Sequence, residues 1–336
     1  MAIVTGSAGF IGYHVSKKLL SMGWRVVGVD SMSDYYDVSL KKQREDILLR
    51  NVNYRSVHKK IEAKGLLLDL FQNEKPEIVI HLAAQAGVRN SIKNPRDYLE
   101  SNILGTFELL EAARTFSPKH ILLASTSSAY GANEKMPYKE SDKADYQLSF
   151  YAATKKSTEN MAHSYSHLFN MPISVFRFFT VYGPWGRPDM ALFKFTKAIL
   201  SGEPIQVYNY GKMMRDFTYI DDLVDGIMLL IDAIPEVSQL EENSSWLTQV
   251  QSPVAPFRIV NIGNSKPEKL TDLIKAIEEE LGLIAKKNLL PIQAGDVPST
   301  WAETKVLERL TGFRPKTELS EGVANFVKWY REYYRV

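Results

Sequence analysis

The 336-residue sequence contains no cysteine, which excludes disulfide bonds, zinc–thiolate sites and thiol nucleophiles. It has no apolar run of the ~20 residues that a membrane helix needs. It also lacks an excess of either charge: 41 basic residues balance 39 acidic ones, so composition does not indicate a nucleic-acid partner. The apolar residues Ala2, Ile3 and Val4 lead directly into a glycine-rich turn, leaving no room for a signal peptide. We therefore expect a cytoplasmic protein without membrane or nucleic-acid partners.

Short apolar segments alternate with amphipathic ones over much of the chain. We predict strands at Ala2–Thr5, Trp24–Val29 with Asp30 at its end, Glu77–His81, His120–Ala124, Ile173–Phe179 and Phe257–Ile262. Helical patterns separate most of them, at Ile11–Ser21, Asp97–Arg114, Tyr151–Phe169 and Ala191–Leu200. This alternation predicts an α/β fold with a doubly wound parallel sheet. Ligands of such sheets gather at the carboxyl ends of the strands.

The alternation loosens in the second half of the chain. We interpret residues 1–180 as a Rossmann domain, to which residues 217–234 and 257–263 return, and residues 181–336 as a smaller α/β substrate domain. Further helices are predicted at Asp221–Asp232, Leu270–Leu281 and Gly322–Tyr334. The polar segment Pro235–Pro256 is predicted to be a mobile surface loop.

The stretch Thr5-Gly6-Ser7-Ala8-Gly9-Phe10-Ile11-Gly12 lies between the first strand and the first helix, where a dinucleotide-binding turn belongs. Gly6 permits the tight turn, Gly9 lets the backbone approach a pyrophosphate, and Gly12 lets the helix pack closely on the strand. Phe10 and Ile11 open the helix whose N-terminus attracts phosphate. Asp30 ends the second strand, where a carboxylate can bind both adenosine-ribose hydroxyls and would repel a 2′-phosphate. This indicates NAD rather than NADP.

Small residues follow another strand in His81-Leu82-Ala83-Ala84-Gln85. Ala83, Ala84 and Gln85 would let the dinucleotide pass close by, and we assign them to the cofactor site. His81 is interpreted as a packed strand-end residue rather than a base. Because the histidines show no metal-ligand spacing, we predict no metal site.

Tyr151 and Lys155 stand four residues apart and so share one face of a predicted helix. A free Tyr phenol has a pKa of about 10, and a nearby ammonium or an oxidised nicotinamide ring lowers it. Tyr151 is therefore the candidate general base, and Lys155 lowers its pKa and can hold the nicotinamide ribose. Thr126, which follows the His120–Ala124 strand, is predicted to hydrogen-bond the reacting oxygen. These three residues indicate alcohol oxidation beside a nicotinamide.

The glycine turn, Asp30, the Thr126 cluster and the Tyr151/Lys155 pair together resemble the extended short-chain dehydrogenase/reductase family of nucleotide-sugar enzymes. The resemblance covers nearly the whole chain. Three stretches are similar to its UDP-glucuronate 4-epimerase branch: Asp34-Tyr35-Tyr36-Asp37, Ala86-Gly87-Val88-Arg89, and Arg177–Met190. The resemblance implies inversion of C4 of UDP-glucuronate to give UDP-galacturonate through a 4-keto sugar, with NAD regenerated in each cycle.

The resemblance also implies a set of substrate-binding residues. Family dehydratases and decarboxylases carry carboxylic acids beside the catalytic Thr, where this chain has Ser127 and Ser128. These serines, with Thr180 and Arg187, would bind the sugar carboxylate, which the Arg187 fork could grip with two charge-assisted bonds. The residues implied for the rest of the UDP-sugar are Arg89, Gln206, Arg215 and Asp296.

The sequence departs from the family at Val57-His58-Lys59-Lys60-Ile61-Glu62, where an Asp commonly reads the adenine amino group. Two alternatives remain open. One is a 4-epimerase of UDP-glucose or of a UDP-N-acetylhexosamine, including its uronate; the other is a catalytically silent, NAD-binding regulatory module. The family usually dimerises through the helices predicted here at Asp97–Arg114 and Tyr151–Phe169, which implies a homodimer.

Overall fold

The computed structural model describes residues 1–237 and 250–336 of the chain. Residues 238–249, which form most of the loop predicted at Pro235–Pro256, lie outside the described residues.

Strands and helices alternate along the first half of the chain, as predicted. Their bounds are β1 (Ala2–Thr5), α1 (Phe10–Ser21), β2 (Val26–Asp30), α2 (Val38–Leu49), β3 (Tyr54–His58), α3 (Leu66–Glu74), β4 (Ile78–His81), α4 (Val88–Lys93), α5 (Pro95–Tyr98), α6 (Gly105–Phe116), β5 (His120–Thr126), α7 (Phe150–Phe169) and β6 (Ile173–Phe178). The second half contains shorter strands between longer helices. These are β7 (Thr180–Tyr182), α8 (Ala191–Leu200), β8 (Ile205–Val207), β9 (Met214–Tyr219), α9 (Ile220–Asp232), β10 (Phe257–Ile262), β11 (Pro267–Lys269), α10 (Leu270–Leu281), β12 (Lys287–Leu289), β13 (Ser299–Thr300), α11 (Lys305–Thr311) and α12 (Leu319–Tyr334).

Seven strands form one sheet in the order β10-β6-β5-β4-β1-β2-β3, and all neighbouring strands are parallel. The predicted α/β class with a doubly wound parallel sheet is therefore confirmed. The chain starts in the middle of the sheet at β1 and winds outward in both directions, so the switch point lies between β1 and β4. A crevice at the carboxyl ends of the strands opens at such a point.

Both faces of this sheet are buried against helices. Side chains along a strand alternate between the faces, so Ala2 and Val4 join one apolar core while Ile3 joins the other. This double burial explains why the central strands read as continuous apolar runs. It also fixes the carboxyl edge of the sheet as the place where polar side chains can gather.

Two smaller sheets lie in the second half of the chain. One contains β7, β9, β11 and β13, and in the other β8 pairs with β12. The predicted division into a Rossmann domain and a substrate domain at residue 180 stays a prediction.

The helix predicted at Asp97–Arg114 is interrupted. Its residues lie in α5, in a π-helical segment at Leu99–Leu104 and in α6. The wider π turn contains the buried Asn102, whose side chain bonds the backbone of Gln85 and the hydroxyl of Thr154 instead of pointing outward. Such π segments occur often at functional sites, and this one lies beside the cleft described below.

Among residues 1–237 and 250–336, no helix combines the length and the apolar content required to cross a membrane. The same residues contain no group of three or more His, Asp or Glu side chains arranged to hold a metal ion.

Candidate active site

The glycine turn between β1 and α1 is shaped by contacts that exclude side chains. Gly6 has φ +71°, a conformation in which other residues are strained, and a Cβ there would lie 2.8 Å from the Ala83 nitrogen. A Cβ on Gly12 would lie 2.0 Å from the Gly6 carbonyl oxygen, and one on Gly9 would lie 2.9 Å from the same atom. The helix N-terminus is thereby brought directly over the strand, with Gly9 as its N-cap. The close approach of the turn and the helix N-terminus behind it suit the binding of a diphosphate.

Asp30 lies at the carboxyl end of β2, and its carboxylate is buried beside the turn. Its Oδ2 accepts a hydrogen bond from the Ala8 amide at 3.0 Å, and its Oδ1 accepts one from the Met32 amide at 2.8 Å. These bonds hold the carboxylate in position, and each oxygen keeps a second lone pair for a ribose hydroxyl.

His81 is a packed strand-end residue, as interpreted from the sequence. Its ring lies between the hydroxyls of Thr5, at 2.8 Å, and Thr106, at 3.2 Å. Burial lowers its pKa to about 3, so the ring is neutral at pH 7. Thr5 also accepts from the amides of Leu82 and Ala83 and thereby fixes the segment that follows β4.

A cleft of about 650 Å³ opens along the carboxyl edge of the sheet. It joins the glycine turn to the hydroxyl cluster after β5, to α7 and to the loop that follows β7. All the residues predicted to bind the cofactor line it: Gly6, Gly9, Phe10, Ile11, Gly12, Asp30, Ala83, Ala84, Gln85, Tyr151 and Lys155. Thr126 and Arg187 line the same cleft. Its volume and its glycine, amide and carboxylate lining fit a dinucleotide.

Tyr151 lies in the first turn of α7, whose N-cap Ser149 accepts a bond from the Ala152 amide at 3.1 Å. The helix N-terminus favours negative charge there. Lys155 lies one turn further on, is 2% exposed, and faces the same cleft. Thr126 ends β5, and its Oγ1 accepts from the Ser128 amide at 3.2 Å. The three candidate catalytic residues are therefore brought together.

The electrostatics of this group differ from the sequence-based expectation. Burial raises the pKa of Tyr151; a hydrogen bond with Thr126 and the charge of Arg187 oppose this rise. Burial also lowers the pKa of Lys155 to about 8, against the attraction of Glu159. In the polypeptide without its cofactor, burial therefore outweighs the influences that lower the pKa of Tyr151, and the role of Lys155 in lowering it stays a prediction.

Arg187 reaches the cleft but already holds a carboxylate. Its Nε and Nη2 donate to Asp189 Oδ1 and Oδ2 at 3.0 and 2.6 Å. The Asp189 Oδ2 also accepts from the Tyr35 hydroxyl at 3.3 Å, and the guanidinium lies 5.8 Å from the Tyr35 ring centre. A substrate carboxylate that uses the Arg187 fork must therefore displace or share Asp189.

Ser127 and Ser128 begin a short 3₁₀ helix directly after Thr126. They line a second cavity of about 50 Å³, whose lining also includes Ser149 at the N-cap of α7 and Gly295. Thr180 is partly buried at the start of β7, and the cleft is lined by its neighbours Phe179 and Val181 rather than by Thr180 itself.

Three of the residues implied for the UDP half lie close together. Arg89 pairs with Asp296 at 2.7 Å. Arg215 donates to the carbonyls of Met214, Val297 and Pro298 at 2.8 to 3.0 Å, so its donors tie β9 to the chain around Asp296. Gln206 is exposed on β8 and accepts from Asn288 at 2.9 Å; it lines neither cavity.

Sequence reasoning missed two buried side chains that build the site. Arg44 of α2 donates to the Ala8 carbonyl at 3.0 Å and to the Trp185 carbonyl at 2.5 Å, linking the glycine turn to the loop of Arg187. Tyr98 donates to the Ala86 and Gly87 carbonyls at 3.0 and 2.7 Å, and its ring packs edge-on against Tyr151 at 6.0 Å. Neither stands in a short motif, so the sequence carried no local signal for them.

The fold and the cleft define a nucleotide-dependent enzyme of the short-chain dehydrogenase/reductase class. Residues 2–241 match the NAD dependent epimerase/dehydratase family, and the chain belongs to this family.

Individual relatives match almost the whole chain. It is 51% identical to the protein named "Probable UDP-glucuronate 4-epimerase" of Rhizobium meliloti (strain 1021), over 99% of this chain and 97% of the relative. It is 44% identical to UDP-glucuronate 4-epimerase 4 of Arabidopsis thaliana, over 99% of this chain and 75% of that one. Among solved structures, the UDP-glucuronic acid 4-epimerase of Bacillus cereus in complex with UDP-glucuronic acid and NAD superposes with a TM-score of 0.88 at 32% identity, covering 99% of each chain.

Proposed function

We propose that this protein is an NAD-dependent isomerase that inverts C4 of UDP-glucuronate to give UDP-galacturonate. The observation that carries the proposal is the single cleft that joins the glycine turn and Asp30 to Thr126, Tyr151, Lys155 and Arg187. A dinucleotide held at the turn and a sugar held near Arg187 would meet at Tyr151. When bound, NAD supplies a hydride acceptor that returns the hydride within the same cycle.

The chain's own residues carry the proton. The Tyr151 oxygen accepts the proton of the C4 hydroxyl and returns it after the configuration has changed. The Thr126 hydroxyl, which bonds Tyr151, orients the sugar oxygen toward the phenol. Lys155 stabilises the phenolate when protonated and holds the ribose beside it. Residues that bind the nucleotide must keep UDP in place while the sugar turns, a task for Arg89, Arg215 and Asp296.

The proposed substrate is acidic because Arg187 places a cation in the cleft and two serine hydroxyls directly follow Thr126, which lines the same cleft. Ser127 and Ser128 offer hydroxyls and no carboxylic acid, so they can bind a carboxylate but cannot protonate at C5 or C6. Arg187 supplies the positive charge, with Asp189 as its resting partner. Exchange of one carboxylate for another keeps the guanidinium paired throughout.

The direct test is to incubate the purified protein with UDP-glucuronate and to resolve the configuration of the product at C4 by NMR. We expect UDP-galacturonate at equilibrium with the substrate. Tyr151→Phe should abolish its formation while UDP still binds. Retention of turnover in this variant would refute the role of Tyr151.

A second candidate is a 4-epimerase of neutral UDP-sugars, and the engagement of Arg187 by Asp189 is the observation that favours it. Arg187→Ala separates the two functions. Loss of turnover on UDP-glucuronate alone supports the acidic substrate, whereas an equal loss on UDP-glucose would argue against it. A silent regulatory module would turn over neither sugar.

We further propose a homodimer built on α6 and α7. These helices and the π segment expose apolar side chains, among them Leu104 (46%), Phe107 (40%) and Leu168 (65%). Phe107→Glu should shift the protein to a monomer in analytical ultracentrifugation, and a monomeric wild type would contradict the proposal. A cytoplasmic location stays a prediction, which cell fractionation can test.

A further inference from the structure

A buried ion pair lies beneath α7, the helix that carries Tyr151 and Lys155, and has no part in the proton transfer described above. Arg177 of β6 donates from Nε and Nη2 to Oε1 and Oε2 of Glu159 at 2.9 and 2.7 Å. Both side chains are 1% exposed. Replacing a buried ion pair by apolar side chains of similar volume often leaves a protein as stable or more stable. The presence of the pair at this place therefore points to a role other than stability.

The pair interrupts an apolar face of the main sheet. Leu123 of β5 and Val175 of β6 belong to the core on this face. The next side chains on the same face, two residues further along each strand, are Ser125 and Arg177, which lie opposite each other. The Ser125 hydroxyl donates to Glu159 Oε1 at 2.6 Å. The carboxylate is therefore held by donors from two neighbouring strands.

The two charges of the pair belong to different elements. Arg177 stays on β6, where its guanidinium lies 4.5 Å from the centre of the Tyr130 ring. Glu159 belongs to α7 and also accepts from the Lys156 ammonium at 3.2 Å. Burial opposes ionisation of Glu159, but the hydrogen bonds and the charge of Arg177 keep its pKa below the usual value. The negative end of the pair is therefore on the helix that carries Lys155.

Lys155 lies one helical turn before Glu159, so the two side chains share one face of α7. In the part of the chain that the structure describes, Lys155 forms no ion pair of its own. Two further titratable groups face it: Tyr151, which lines the same cleft, and the neutral ring of His81 on β4. Burial lowers the pKa of Lys155, and the attraction of Glu159 opposes this change. Glu159 is therefore the carboxylate that favours the charged form of Lys155.

We propose that Glu159 is a positioning residue, whose carboxylate keeps the Lys155 ammonium charged and in place beside Tyr151. This role rests on the proposed function, because Glu159 does not line the cleft and acts through Lys155. Arg177 and Ser125 in turn fix the carboxylate. The alternative is that the pair only joins α7 to the sheet. The two roles differ in what happens to the charge of Lys155 when the carboxylate is neutralised.

The first test measures this effect without substrate. The urea midpoint of unfolding is determined at pH 7, on the full chain at one fixed NAD concentration, for Glu159→Gln in the wild type and in Lys155→Met. The midpoint should fall more in the wild type, because only there is an attraction between carboxylate and ammonium lost. The cost of leaving Arg177 without its carboxylate occurs in both backgrounds and cancels. Equal losses in the two backgrounds would overturn the proposal.

The second test is the plot of kcat against pH for UDP-glucuronate. Activity should fall at high pH as Lys155 loses its proton, and Glu159→Gln should move this basic limb to lower pH by about one unit. The matched control Lys156→Gln removes a hydrogen bond from Glu159 but keeps the carboxylate, so its basic limb should not move to lower pH. A pair that only joins helix and sheet predicts that Glu159→Gln lowers kcat equally at every pH. That result would contradict the assignment.

If Glu159→Gln does not fold, Glu159→Gln/Arg177→Met takes its place, because it removes both charges and leaves no unpaired ion in the core. Its basic limb should also lie at lower pH than that of the wild type. If the wild type turns over no UDP-glucuronate, the proposed function fails, while the unfolding measurement still decides whether the carboxylate acts on Lys155. If turnover is present and either measurement gives the contrary result, only the role of Glu159 fails.

Discussion

Replacement of Lys155 by Met should make the nucleotide-free protein more stable while removing its activity. Lys155 is 2% exposed, and burial lowers the pKa of its ammonium from 10.5 to about 8 despite the attraction of Glu159. The shift of 10.5 minus 8 corresponds to about 3 kcal/mol at ~1.36 kcal/mol per pKa unit. Below pH 8 the folded protein carries this cost, because the charge is well hydrated only in the unfolded chain.

Met retains most of the apolar stem and removes the charge, so we expect the free energy of unfolding to rise by about 2–3 kcal/mol at pH 7. The sign of the pH dependence follows from proton counts. Between about pH 8 and 10.5 the unfolded chain still binds the Lys155 proton while the folded chain has lost it. The free energy of unfolding of the wild type therefore rises between about pH 8 and 10.5. The difference in free energy of unfolding between Lys155→Met and the wild type should shrink over the same range.

The assay is urea unfolding at pH 7 and pH 9.5, followed by tryptophan fluorescence. Tyr151→Phe is the matched control, because it should also abolish turnover but keeps the Lys155 ammonium. A Lys155→Met protein that is less stable than wild type at pH 7 would refute the reasoning. An equal difference in free energy of unfolding between variant and wild type at both pH values would also refute it, because burial would then not disfavour the charged form of Lys155.

Three further changes test other parts of the site. Gly12→Ala would place a Cβ 2.0 Å from the Gly6 carbonyl oxygen, so it should destabilise the protein by about 1–3 kcal/mol and weaken NAD binding. Thermal melting with and without NAD measures both effects. A variant whose melting temperature rises with NAD as much as that of the wild type would contradict the prediction. Tyr98→Phe keeps the ring against Tyr151 but loses the hydroxyl that bonds the Ala86 and Gly87 carbonyls. The KM for the UDP-sugar should therefore rise several-fold with little change in kcat. Tyr98→Leu, which also removes the ring, should lower kcat as well. Arg187→Met removes a charge that lowers the pKa of Tyr151, so the acidic limb of the plot of kcat against pH should move to higher pH. If that limb does not move, Arg187 does not act on the phenol.

The central strands were predictable because they are buried on both faces. β1 and β10 have the predicted bounds, and the helices over Ala191–Leu200 and Leu270–Leu281 do as well. The edge strand β3 and helix α2 gave no comparable pattern. Tyr54 of β3 is buried, but Arg55 and His58 are exposed, which is typical of an edge strand with polar residues. Helix α2 buries Arg44 and Glu45 among its apolar residues, so its core-facing side does not read as hydrophobic.

The contents of the cleft were predictable from local motifs, while their partners were not. Every residue assigned to the cofactor lines one cleft, because each motif stands at the carboxyl end of a parallel strand or at a helix start beside it. Arg187 and Asp189 are two residues apart, so their ion pair is local in sequence. The spacing does not tell whether the guanidinium binds this Asp or a carboxylate of the substrate. Arg44 reaches the Trp185 carbonyl across 141 positions, a contact that only the folded chain brings about.

The same distinction explains the unexpected state of the Tyr151/Lys155 pair. A spacing of four residues places both side chains on one face, but the shift of each pKa depends on what that face meets. Burial favours the neutral form of each partner, since it raises the pKa of Tyr151 and lowers that of Lys155. The opposing influences come from Thr126 and Arg187 on one side and from Glu159 on the other. In the polypeptide alone burial therefore disfavours the phenolate form of Tyr151, and added positive charge in the cleft would lower the pKa of the phenol. The positive ring of a bound oxidised nicotinamide would supply such charge and would thereby couple loss of the phenol proton to the presence of a hydride acceptor.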